Sequence, residues 1–188
     1  MADTQRQSTR TRTLRTRAVA ALAAVAGAAA LVAVPAATGT ASAGGAYCGI
    51  TWGSVAKTSG TTVPGRVTGV RAGRHACYDR LVIDATGRAP GFDVRYVTTV
   101  RTEGGGFPVP VAGGARLAVV AKKGATSTPS MPSVAGFTTF RQVRWAGSFE
   151  GYTTIALGVR ARLPFRAFTV YDASTNRSRL VVDVAHHW

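Results

Sequence analysis

Acidic residues are scarce in this sequence. Only Glu103, Glu150 and six aspartates stand among 188 residues, against 23 lysines and arginines. Glycan hydrolysis needs two carboxylates facing one bond, and two of the aspartates, Asp84 and Asp183, are taken up by a repeated strand pattern, which argues against a glycosidase. Histidine is rarer still. His186 and His187 are adjacent and would point to opposite faces of a strand, so with Trp188 they read as a frayed tail and, even with His75, give no expected metal site. Ser148 sits in Ala-Gly-Ser-Phe and not in Gly-x-Ser-x-Gly, and no histidine has a recognisable aspartate partner for a catalytic triad. A zinc ligand set and a cysteine with its own histidine motif are also missing. No catalytic centre is evident, no cofactor is implied, and the expectation is a protein that is not an enzyme.

Cysteine is limited to Cys48 and Cys77. Both follow an amino-terminal pattern of five arginines (Arg6 to Arg17), an uncharged Ala/Val/Leu run from Ala18 to Val34, and Ala41-Ser42-Ala43, the small-x-small sequence that signal peptidase reads. Residues 1–43 are therefore expected to be a signal peptide and the protein secreted, either extracellular or associated with the cell wall. The run is too rich in alanine, and too short before Pro35, to predict a stable membrane span, with a retained anchor helix as the alternative. Cys48 follows Tyr47, where a lipid-attachment motif wants a small residue. An oxidising exterior favours a Cys48–Cys77 disulfide; the alternative is a reactive thiol with His75 as its base.

Cleavage after Ala43 leaves 145 residues, the size of one domain with one hydrophobic core. Those residues keep a net charge of +11, carried almost wholly by arginine. Such a surface attracts polyanions. An exported protein meets wall carboxylates, teichoic-type phosphates and anionic headgroups before nucleic acid, so nucleic acid is not the expected partner. Arginine used for solubility alone is the competing reading.

A five-residue pattern recurs as Arg80-Leu81-Val82-Ile83-Asp84 and Arg179-Leu180-Val181-Val182-Asp183. Strand alternation puts Leu81, Ile83, Leu180 and Val182 on one face, and Arg80, Asp84, Arg179 and Asp183 on the other. Arg and Asp of one copy then lie roughly 13 Å apart. Beyond residue 43 no segment shows a helical period, whereas short alternating runs bounded by Gly and Pro recur throughout. The expected fold is all-β: a single-domain sandwich or open barrel of about eight short antiparallel strands. Residues 44–66 read as an arm tied by the disulfide, residues 67–188 as the β domain, and residues 122–135, including Lys122 and Lys123, as a mobile loop. Residues 146–151 read as a Gly-bounded turn between two strands, and Pro108 with Pro110 confines the nearby stretch to an edge or loop.

The closing hairpin, Pro164 to Asp172 followed by Ser178 to Val184, resembles the end of an AMIN domain. Val67-Thr-Gly-Val-Arg71 with Arg80 to Asp84 resembles that family's opening. Gly136 to Tyr152, with the Tyr47-Cys-Gly-Ile-Thr-Trp-Gly53 arm, is similar more narrowly to the AMIN-like domain of secreted and lipoprotein actinobacterial proteins. The resemblance implies a β-sandwich that binds cell-wall material, and hence a non-catalytic envelope module recognising peptidoglycan or an associated anionic wall polymer. Arg80, Asp84, Arg179 and Asp183 become ligand-face candidates, with cross-strand ion pairing as their structural alternative. Trp145, Phe149 and Tyr152 could stack on sugar rings, or could simply edge the core. A secreted protein-binding or inhibitor-like module acting through exposed loops is the second reading, and an uncharacterised hydrolase the third.

Overall fold

The computed structural model describes residues 44–188, with side chains from residue 46; the expected signal peptide lies outside them. These residues form thirteen strands and no helix, more than the eight expected because several strands are only two to four residues long. None of the described elements is a helix long and apolar enough to cross a membrane. One principal sheet holds β4 (Val67–Arg74), β5 (Tyr78–Thr86), β12 (Phe165–Asp172) and β13 (Arg177–Ala185) in the order β12-β13-β5-β4. The other holds β3 (Lys57–Ser59), β6 (Gly91–Val97), β9 (Ala115–Lys122), β10 (Phe140–Phe149) and β11 (Tyr152–Val159) in the order β10-β11-β9-β6-β3. Every pairing between these strands is antiparallel and neither sheet closes on itself. The architecture is a β-sandwich.

The core follows from strand alternation. Leu81, Ile83, Leu180 and Val182 are at most 1% exposed and join Val94, Leu117, Val119, Ile155, Leu157 and Phe165 in one cluster between the sheets. Their facing is the one the repeated pattern predicts. Tyr96 closes one margin, donating its hydroxyl to Leu163 O at 2.7 Å and accepting from Leu163 N at 3.0 Å. Burial pushes its pKa up to about 12.

Both outer faces receive a cover. The ribbon β7 (Val100–Arg101) with β8 (Pro108–Val109) contributes Val100 and Val109 to a second apolar cluster with Ala146 and Ala156 on the larger sheet. The chain leaves the sheet after Val97, at the end of β6, and Val100 and Arg101 go into this ribbon. On the smaller sheet, β1 (Gly44–Tyr47) and β2 (Ile50–Trp52) form a hairpin arm, and the Cys48–Cys77 disulfide joins the arm to the residue before β5.

Two local expectations are corrected. Residues 146–149 belong to β10, which runs on through a register shift between Trp145 and Ser148, with Gly147 at φ 111°. The turn is only Glu150-Gly151, both at positive φ, as a two-residue hairpin matching the strand twist requires. Lys122 closes β9, and Lys123 is no loop residue in character, since it is fully buried. Its ammonium donates to Thr86 O at 2.7 Å and Arg88 O at 2.6 Å, and burial lowers its pKa. Removing it would leave Thr86 O without this donor and Arg88 O with only the longer bond from Ser178 Oγ, at 3.2 Å. Lys123→Ala is expected to lower unfolding free energy by about 2–3 kcal/mol, and Lys122→Ala by under about 1 kcal/mol, as read by urea denaturation. Equal, small losses would contradict this anchoring role. The connection from Gly124 to Thr139 is tied at Ala125, which bridges Val67, and at Val134, which is buried in the core.

Candidate functional site on the outer face of the smaller sheet

Strands β5 and β13 pair with Val82 opposite Val181 at the centre of the repeat. Antiparallel pairing of two Arg-x-x-x-Asp copies sets each arginine against the other copy's aspartate: Arg80 opposite Asp183, and Arg179 opposite Asp84. The four polar residues of the repeat are thereby assembled on one face, as two ion-paired ends.

The ends are not equivalent. Asp183 has no exposed surface. It accepts from Arg80 Nε and Nη2 at 2.6 and 2.9 Å, and from Arg166 Nε of β12 at 2.8 Å. The arm lays Trp52, only 4% exposed, beside this cluster. The guanidinium of Arg166 stands 5.6, 5.5 and 5.2 Å from the ring centres of Trp52, Tyr78 and Phe168, and that of Arg80 lies 5.2 Å from Tyr78. Hydrogen bonding to Asp183 raises the Arg80 pKa, so the guanidinium stays charged under its aromatic cover. A ligand anion would have to displace an already doubly paired carboxylate. This end orders the sheet.

The other end is open. Arg71 of β4 holds Asp84 through two bonds, Nε–Oδ2 at 2.7 Å and Nη2–Oδ1 at 3.1 Å, while Arg179 approaches Oδ1 at only 3.6 Å. Asp84 retains 28% of its side-chain exposure. Around it runs a groove of about 590 Å³ lined by Thr68, Gly69, Arg71, Asp84, Arg177 and Arg179. Three guanidiniums surround one carboxylate, so the groove carries a surplus of two positive charges. Arg177 and Arg179 share a strand face, about 6.8 Å apart along β13. Such forked donors suit phosphate or carboxylate oxygens. The sequence reading missed Arg71 and Arg177 as site residues. Alternation from Arg179 places Arg177 on the same face, but Arg71 joins only through the pairing of β4 with β5.

The aromatic candidates do not join this face. Trp145 packs half-buried against the main core. Phe149 and Tyr152 are cross-strand partners flanking the Glu150-Gly151 turn, 52% and 39% exposed, on the other sheet.

The carboxyl-terminal histidines are also placed differently from expectation. His186 is buried, with Nε2 3.2 Å from Asp79 Oδ1, and Asp79 Oδ2 accepts from Thr139 N and Phe140 N at 2.5 and 3.0 Å. His187 packs edge-on against Tyr47, and Trp188 Nε1 donates to Arg162 O. The tail is therefore tied down and does not fray. The Asp–His contact pins the start of β10 to β5 and β13. The neighbouring hydroxyl of Thr139 donates to Ala185 O. Among the described residues, no group of three or more His, Cys, Asp or Glu is placed to hold a metal ion.

No curated protein and no solved structure matches the chain significantly. A protein-family model does: that of the AMIN-like domain, over residues 65–186. The match starts after the arm, although the disulfide fastens the arm to Cys77 inside the matched region. It takes in both copies of the repeated strand, both principal sheets apart from β3, and every residue lining the open arginine groove, and by this match the chain belongs to the AMIN-like domain family.

Proposed function

We propose that this domain is a non-catalytic, secreted module of the cell envelope that holds peptidoglycan or an associated anionic wall polymer in the groove of Arg71, Arg177 and Arg179. The observation that carries the proposal is the imbalance of that groove, three exposed guanidiniums around a single, already paired carboxylate. Membership of the AMIN-like family points to the cell envelope, where carboxylate- and phosphate-bearing polymers are abundant. Low local dielectric is absent in so open a groove, so binding rests on several weak, screened contacts along a chain. Arg80 and Asp183 contribute by ordering the sheet beneath and not by touching the polymer.

The test is co-sedimentation with insoluble cell wall. Retention is expected to fall steeply as salt rises from about 50 to about 500 mM, because screening shortens the reach of exposed charges. Arg177→Ala with Arg179→Ala is expected to weaken retention at least about tenfold, the loss of roughly 1.4 kcal/mol of binding free energy. Removing the same charge from the larger-sheet side, as Arg101→Ala with Arg144→Ala, sets the baseline. Equal losses in the two double variants would leave only non-specific charge, and no retention at low salt would remove the envelope-binding reading.

A further inference from the structure

The two principal sheets end in four edges, and three of them are blunted. β3 has only three residues, β10 shifts register twice, and β4 shifts between Val67 and Gly69. Short strands, bulges and charged or proline residues are the usual devices that prevent edge-to-edge pairing. β12 carries neither of the first two and no proline or lysine, and its two charged residues, Arg166 and Asp172, are of opposite sign at its two ends: its eight residues pair with β13 in unbroken register from Phe165 to Asp172.

The main-chain groups on its free side can be assigned. Phe165 N donates away from β13, to Gly53 O at 2.9 Å, whereas Pro164 O accepts from Ala185 N on the β13 side. By alternation, Ala167, Thr169 and Tyr171 turn their N–H and C=O groups outward. These have no main-chain partner among the described residues: the arm's backbone meets this edge at the Gly53–Phe165 bridge, and its Trp52 ring lies against Arg166. Val170 and Tyr171 are each 41% exposed beside them.

We propose that β12 is a dimerisation edge, on which two copies of this chain pair β12 to β12 antiparallel about Thr169 and merge two four-stranded sheets into one. The sequence of β12 is complementary to itself in that register. Arg166 of each copy meets Asp172 of the other, Phe168 meets Val170, Ala167 meets Tyr171, and Thr169 meets its own equivalent. The outward groups then close about six hydrogen bonds between the copies. A slip of one residue sends each side chain to the opposite face, and a slip of two separates Arg166 from Asp172. Arg166 contacts Asp183 through Nε, which leaves its terminal nitrogens for a second carboxylate.

The pairing axis is perpendicular to the sheet, so both outer faces lie on the same side. If the arginine grooves bind wall polymer, which rests on the function proposed above, the dimer presents two of them to one polymer surface and binds with avidity.

Light scattering after size exclusion of the full chain, between about 1 and about 200 μM, tests the dimer by mass action. The expected result is a concentration-dependent doubling of mass. Thr169→Pro removes an outward donor while sparing the bonds to β13, and Val170→Lys puts a charge on the edge; each is expected to give a monomer with an unchanged circular dichroism spectrum. Thr169→Cys should cross-link as a dimer under oxidation, because facing hydrogen-bonded residues have Cα atoms about 5.5 Å apart. A wild-type monomer at the highest concentration overturns the proposal, as does association that persists in Val170→Lys. A dimer that fails to sediment with cell wall leaves this interface standing and removes only the groove reading.

Discussion

Asp183→Ala is expected to lower the unfolding free energy by about 3–5 kcal/mol. The carboxylate is fully buried and carries charge-assisted bonds from two arginines, so its loss strands two guanidiniums against each other beneath Trp52 and Tyr78. The guanidinium side chains remain 26% and 32% exposed, and partial hydration places the effect toward the lower end of that range. Asp84→Ala, at the open end of the same repeat, is expected to cost under about 1 kcal/mol, because an exposed pair is worth little. Urea denaturation of the two variants measures the contrast. Replacing Asp183, Arg80 and Arg166 together by leucine and methionines is expected to recover most of the loss, since a buried ionic cluster is often no more stable than apolar side chains of similar volume. Matching losses for Asp183→Ala and Asp84→Ala would mean that the arm does not shield one end from water.

Removing the disulfide, as Cys48→Ala with Cys77→Ala, is expected to cost about 3–4 kcal/mol, the chain-entropy value for a loop of this length. For a domain of this size that is a fall of about 10 °C in Tm. The effect should extend to the sheet face, because the bridge fastens the hairpin that places Trp52 over Arg166. The intact protein should take up no alkylating reagent without reductant and two equivalents after reduction, as mass spectrometry reads. Uptake of two equivalents without reductant would show free thiols, and an unchanged Tm in the double variant would show that the arm is held by Trp52 alone.

Arginine at two positions of one repeat thus has two different fates. The alternation of Arg80 to Asp84 and Arg179 to Asp183 is enough to predict the buried face, because side chains in a strand can only alternate and the aliphatic set must leave water. Two cysteines behind an export pattern are enough to predict their pairing, and the short Gly-bounded runs to predict an all-β sandwich or open barrel, between which the structure decides for the sandwich. Lys123 shows where local pattern fails. Its neighbours are Gly, Ala, Thr and Ser, the composition of a loop, yet the carbonyls that hold it belong to Thr86 and Arg88, more than thirty residues away.

The same distance in sequence separates the remaining features from any local reading. His186 meets Asp79 across 107 positions, and Arg80 meets Asp183 across 103. Periodicity within a segment determined which face each strand buries, the approximate set of core residues and the charge of the outer surface. Tertiary structure decided which end of the repeat closes and which stays open: the arm covers Asp183 because Cys48 is tied next to Tyr78, while β4 brings Arg71 to Asp84 and, among the described residues, both keep part of their surface exposed. A local pattern sets the direction of a side chain, but its access to water depends on which distant segment packs above it.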